Sequence, residues 1–96
     1  MTILVLVEVK VKPQCLNELT TLLRELLPAT RAFPGCESVA AALSEDGNSL
    51  TLVERWGSKE DRQKYASWRM TTDHGRQLVA LLDGPLSIRY IDPLEV

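Results

Sequence analysis

The sequence is short of the groups that announce catalytic chemistry: its 96 residues include one histidine, two cysteines, two tryptophans, two tyrosines and one phenylalanine. Two cysteines, Cys15 and Cys36, are too few for a disulfide framework and lack the paired short spacing of a zinc site. They read as small buried or half-buried hydrophobes. The single histidine, His74, would need carboxylates from scattered positions to complete a metal site, so no metal is expected. The chain has no glycine-rich phosphate cradle, no dinucleotide fingerprint, no His-Glu-x-x-His and no Gly-x-Ser-x-Gly, so no motif-borne cofactor is expected either. A formal charge of -2 provides no basic field for holding phosphates, which argues against a nucleic-acid partner. The longest apolar stretch, residues 3–7, falls far short of the ~20 residues that span a bilayer, and Glu8 and Lys10 follow too soon for a signal sequence. A cytoplasmic protein with no membrane association is expected.

What is present is the composition of a small globular protein, 45% hydrophobic and 25% charged. A chain of this length has room for a single domain, residues 1–96, around one core. Residues 1–12 begin as an apolar run and end in alternation, which predicts a strand. After Pro13, Leu16, Leu19, Leu22, Leu23, Leu26 and Leu27 recur at helical spacing, with Asn17, Glu18, Arg24 and Glu25 opposite. Pro28 removes a backbone donor, so this helix should kink or restart there and carry residues 29–32 as a last turn. Phe33-Pro34-Gly35 stops it.

Residues 36–43 read as a second strand despite three consecutive alanines, because the turn Glu45-Asp46-Gly47-Asn48 and a clear strand at residues 50–56 follow. Ser58 begins a helix through a capping pattern with Asp61. Asp61, Tyr65 and Trp68 share one of its faces. A polar interruption at residues 69–75 precedes renewed helical spacing at Leu78, Leu81 and Leu82, giving two short helices or one broken one. Gly84-Pro85 ends that segment and residues 86–92 form the last strand.

This order, strand-helix-strand-strand-helix-strand, predicts an α+β fold of ferredoxin-like βαββαβ type: an antiparallel sheet with its helices on one face. The other face should be polar, yet Leu4 and Leu6 point opposite to Ile3, Val5 and Val7, and Leu52 and Val53 sit back to back. The same face of a second copy is the cheapest cover, so a homodimer of packed sheets is expected.

The residues left to carry chemistry are Glu54-Arg55-Trp56 at the end of the third strand, then Tyr65, Trp68, Arg69 and His74. Trp56, if it faces the helices, is the floor of a cleft between helix and sheet, with Trp68 as a wall; otherwise the two tryptophans are core and rim. Glu54 and Arg55 are a cross-strand ion pair at the dimer seam or catalytic groups. Arg69 is a solvated helix-end cation or an anion clamp. His74, beside Thr72 and Asp73 near a predicted helix start, is a surface or capping residue or a proton shuttle.

Three stretches, Glu8-Val9-Lys10-Val11-Lys12-Pro13, Thr30-Arg31-Ala32-Phe33-Pro34-Gly35-Cys36 and Leu52-Val53-Glu54-Arg55-Trp56-Gly57-Ser58-Lys59-Glu60, together with Gly84-Pro85, resemble the antibiotic biosynthesis monooxygenase family of dimeric α+β barrels. The resemblance implies a homodimer with a pocket between sheet and helices. It also implies oxidation of a small phenolic or quinol-type substrate by O₂ without metal, haem or flavin. Under it, Trp56 is the pocket tryptophan, His74 and Arg69 handle proton and charge, and Tyr65, Trp68 and Val7 contact the substrate. Such chemistry needs only an apolar cavity, a base and a group that stabilises developing negative charge. A protein of this fold that binds or isomerises a small metabolite without oxygen is the alternative.

Overall fold

The structure, a computed structural model, describes residues 2–96. The chain runs β1 (Ile3–Lys10), a 3₁₀ turn (Pro13–Cys15), α1 (Leu16–Ala32), β2 (Cys36–Leu43), β3 (Ser49–Trp56), α2 (Lys59–Arg69), α3 (Asp73–Leu81) and β4 (Ser87–Ile91). The strands form one antiparallel sheet in the order β2-β3-β1-β4, the ferredoxin-like arrangement that the hydrophobic pattern predicts. The predicted strand start at Met1 lies outside the described residues. Among those residues no helix is long and apolar enough to cross a membrane.

Register divides the sheet cleanly. Val5 lies opposite Glu54 and Tyr90, and Val7 opposite Leu52 and Ile88, so these side chains share the face that the helices cover. Leu4, Leu6, Ala40, Val53 and Ile91 occupy the other face; Val53 remains 42% exposed. Beside them, Glu8 and Arg89 make an ion pair at 3.1 Å across β1 and β4. Glu54 and Arg55, as consecutive strand residues, point to opposite faces and form no pair, which corrects the seam ion pair read from the sequence.

The helical face holds two cores. The first is aliphatic: Leu19, Leu22, Leu23, Leu26 and Leu27 of α1 pack on Val9, Val39 and Leu50, with Leu82 closing the end. The second gathers Val5, Val7, Trp56 and Tyr65. The first helix neither stops nor restarts at Pro28 but runs on as one element to Ala32, with Leu26 and Leu27 buried before the proline and Thr30 buried after it. The Ser58 hydroxyl accepts the Asp61 N–H at 3.1 Å, as the capping pattern predicts. The polar interruption resolves into a second cap: Thr72 Oγ1 accepts from the Gly75 N–H at 3.1 Å and starts α3.

One corner depends on glycine. Gly35 has φ +92°, its carbonyl accepts from the Gly57 N–H at 2.8 Å, and a Cβ there would overlap the Asp61 side chain. The β2 and α2 starts are thereby fixed to one another.

Candidate active site

A cavity of about 240 Å³ lies between the sheet and the α2–α3 pair, walled by Val7, Leu52, Leu78 and Ile88 among other aliphatic side chains. Four polar side chains enter its lining: Glu54 from β3, and Arg62, Tyr65 and Arg69 from α2. Glu54 and both arginines are each at most 5% exposed. Grooves of about 300 Å³ between α1 and β2 and about 530 Å³ between α1 and α3 bring together no such buried charges.

Glu54 is held in place by two donors on one oxygen. Trp56 Nε1–H and Arg62 Nε–H both donate to Oε1 at 2.8 Å. Such charge-assisted bonds fix the carboxylate, and a buried pair of this kind persists only with good geometry. Every fully buried side-chain nitrogen or oxygen among the described residues has a hydrogen-bond partner. Oε2 of Glu54 has none among the described residues, and Glu54 lines the cavity.

Arg69 belongs to a second network. Its Nε–H donates to Tyr65 Oη at 3.1 Å, while Nη2 donates to Thr30 Oγ1 at 2.9 Å and to the Leu26 carbonyl at 3.0 Å. Tyr65 Oη lies 2.7 Å from Thr30 Oγ1, and the arrangement in which Tyr65 donates to Thr30 and Thr30 donates to Leu26 satisfies both hydroxyl hydrogens. Arg69 therefore ties α2 to the C-terminal turns of α1 and is not the solvated helix-end cation of the first sequence reading. Its burial follows from Gly75: a Cβ at that position would overlap the Arg69 carbonyl oxygen, so glycine lets α3 close over it. No carboxylate among the described residues reaches Arg69 within 4 Å.

The structure brings Val7, Tyr65 and Arg69 together at the cavity and leaves three other candidates outside its lining. Trp56 does face the helices, but it is fully buried, sandwiched near Phe33 and Tyr65 with ring centroids at 6.3 and 5.2 Å; its contribution is to hold Glu54. Trp68 lies on the outer side of α2, stacked near Phe33 at 5.4 Å and under the Arg69 guanidinium at 4.6 Å. His74 points along the surface towards α1, its Nε2 3.6 Å from Glu25 Oε2, because the Thr72 cap sets the second α3 residue outward. Cys36 is half-buried near Glu54, and burial pushes its thiol up, the Glu54 charge adding to the effect while Arg31 opposes it, so the site holds no activated thiol. Among the described residues no three His, Cys, Asp or Glu side chains are grouped to hold a metal ion.

Sequence reasoning left Arg62 out and left Glu54 between a seam ion pair and a catalytic role. The signal for Glu54 was its shared parity with Trp56 on β3, two residues apart. The signal for Arg62 was its place three before Tyr65 and seven before Arg69, one stripe of a helix that buries arginines where others bury leucines.

Sheet order, helix placement and a charge-lined cavity between the layers define an α+β domain of ferredoxin-like type. The chain belongs to the antibiotic biosynthesis monooxygenase family, whose model matches residues 2–77, a span that includes Glu54, Arg62, Tyr65 and Arg69. It is 29% identical over 84 residues to a Mycobacterium tuberculosis protein named "Putative monooxygenase Rv0793", covering 88% of this chain and 83% of that one. The solved structure of Rv0793 superposes with a TM-score of 0.78 at 26% identity, covering 100% of this chain and 98% of that one. A conserved protein from Methanosarcina mazei Go1 shares the fold with a TM-score of 0.79 at 22% identity, covering 96% of this chain and 92% of that chain.

Proposed function

We propose that the protein is a cofactor-independent monooxygenase that oxidises a small phenolic or quinol-type substrate with O₂ inside the sheet–helix cavity. The observation that carries the reading is Glu54: a buried carboxylate lining a largely aliphatic cavity, one oxygen pinned by Trp56 and Arg62, the other without a partner among the described residues. Oε2 takes the phenolic proton, and Arg62 and Arg69 stabilise the phenolate formed beside them. The electron-rich ring then reduces dioxygen itself. A C–O bond forms at a ring carbon bearing hydrogen, the O–O bond breaks, one oxygen stays as a carbonyl, and the other leaves as water with the phenolic and ring hydrogens. The ring supplies all four electrons, so no outside reductant enters. An aliphatic cavity of this size excludes bulk water and favours one or two fused rings. His74, placed on the surface, takes no part in this scheme.

The test is oxygen uptake with a reduced naphthoquinone in metal-free buffer, with ¹⁸O₂ tracing one label into the product. A rate equal to the protein-free blank defeats the proposal. Enolisation of a small carbonyl compound without oxygen is the second reading, favoured by the same base and cations; it predicts activity indifferent to anaerobiosis.

The working form proposed is a cytoplasmic homodimer stacked through the open sheet face. Leu4, Leu6, Val53 and Ile91 support it as a contiguous apolar strip that a second copy would remove from water. The free thiols Cys15 and Cys36 suit a reducing compartment. Sedimentation showing lone subunits at micromolar concentration would remove this part.

A further inference from the structure

The cavity carries one carboxylate and two guanidiniums, all buried, and the excess positive charge has no protein partner. Arg62 spends its Nε on Glu54, whereas Arg69 meets only neutral acceptors: a hydroxyl, a phenol and a backbone carbonyl. Buried charges are ordinarily paired, and a guanidinium held by neutral groups alone is a vacancy for an anion. Nη1 of Arg69 has no hydrogen-bond partner among the described residues, and Arg69 is one of the residues that line the cavity.

We infer that the cavity is built for a singly charged substrate, a phenolic acid of one or two rings whose carboxylate is bound by Arg69 while its hydroxyl faces Glu54. The inference rests on the cavity being the substrate site. Charge supports it at both stages of the proposed reaction. Before proton transfer the substrate carboxylate balances the excess guanidinium. After it, Glu54 is neutral, and phenolate and carboxylate face two guanidiniums. A neutral phenol leaves one buried cation uncompensated at both stages. The mounting of Arg69 on Tyr65, Thr30 and Leu26 holds the guanidinium in one place in advance and leaves its two Nη1 hydrogens for an acceptor.

The test uses the whole protein and two probes of the same shape, 2-naphthoate and its neutral amide, 2-naphthamide, with affinity read by calorimetry under nitrogen. Naphthoate should bind about tenfold or more tightly than the amide, as expected for hydrogen bonds to a charged group. Equal affinity, tighter binding of the amide, or no binding of either overturns the inference. In Arg69→Gln the preference should fall to about twofold or less, and Arg69→Lys should restore part of it. A folded Arg69→Gln protein that keeps the full preference also overturns it.

If Arg69→Gln does not fold, nitrogen-detected NMR of the wild type decides. The Arg69 Nε–H signal should move on adding naphthoate and stay put with naphthamide. A preference without that movement rules out Arg69. Because binding is measured without oxygen, an absent oxidation alongside a strong acid preference removes only the monooxygenase proposal. Oxygen uptake with no acid preference removes only this one.

Discussion

The two ends of the helix–sheet interface are built from opposite materials. Under α1 the contact is aliphatic throughout, leucines on valines and Leu50. Under α2 it is Trp56, Tyr65, Glu54, Arg62 and Arg69, joined by directional bonds between 2.7 and 3.1 Å. The first end is stabilised by area removed from water, with no preferred direction. The second keeps its charges only while each finds its partner. Rigidity of geometry, not amount of burial, is what the second end supplies, and it is the end with the cavity.

The sharpest way to break this contrast is Glu54→Gln, which keeps the shape and removes the base. Oxidation should fall by about a hundredfold or more, measured as initial oxygen uptake at saturating substrate. A smaller loss moves the proton acceptor elsewhere. Next comes Leu19→Ala at the aliphatic end, expected to lower unfolding free energy by about 2–5 kcal/mol in urea titration. Its preference between naphthoate and naphthamide should not change; a change would mean the two ends are coupled. Gly75→Ala tests the junction, since a methyl group there meets the backbone of Arg69. A loss of about 1–3 kcal/mol is expected, with a shifted Arg69 Nε–H signal. His74→Ala should do least, changing stability by less than about 0.5 kcal/mol and leaving oxygen uptake alone, because its partner Glu25 is an exposed surface carboxylate.

The same contrast governs what could be read from the chain. The aliphatic end was legible because leucines at helical spacing and valines at alternating positions are what burial by area requires. The caps at Ser58 and the strand order followed from local chemistry. Tyr65 and Arg69 were legible as candidates by position and Val7 through the family resemblance, though the bonds of Arg69 were not. Hydropathy treats Glu54, Arg62 and Arg69 as outward residues, and only pairing across tertiary contacts reverses that sign. His74 misled for a related reason: its chemistry drew notice, while the Thr72 cap determined its direction.

Since neighbouring residues on β3 look in opposite directions, what the cavity contains depends on counting by twos from the hairpin. Removing a single residue from the middle of that strand would present Arg55 beneath the helices and turn the carboxylate out to the far side. The chain would keep Glu54 and lose its contacts with Arg62 beneath the helices. Lengthening the turn at Gly47, where nothing crowds the backbone, carries no such inversion. Odd and even are, in this protein, the difference between a hollow lined by a carboxylate and one without it.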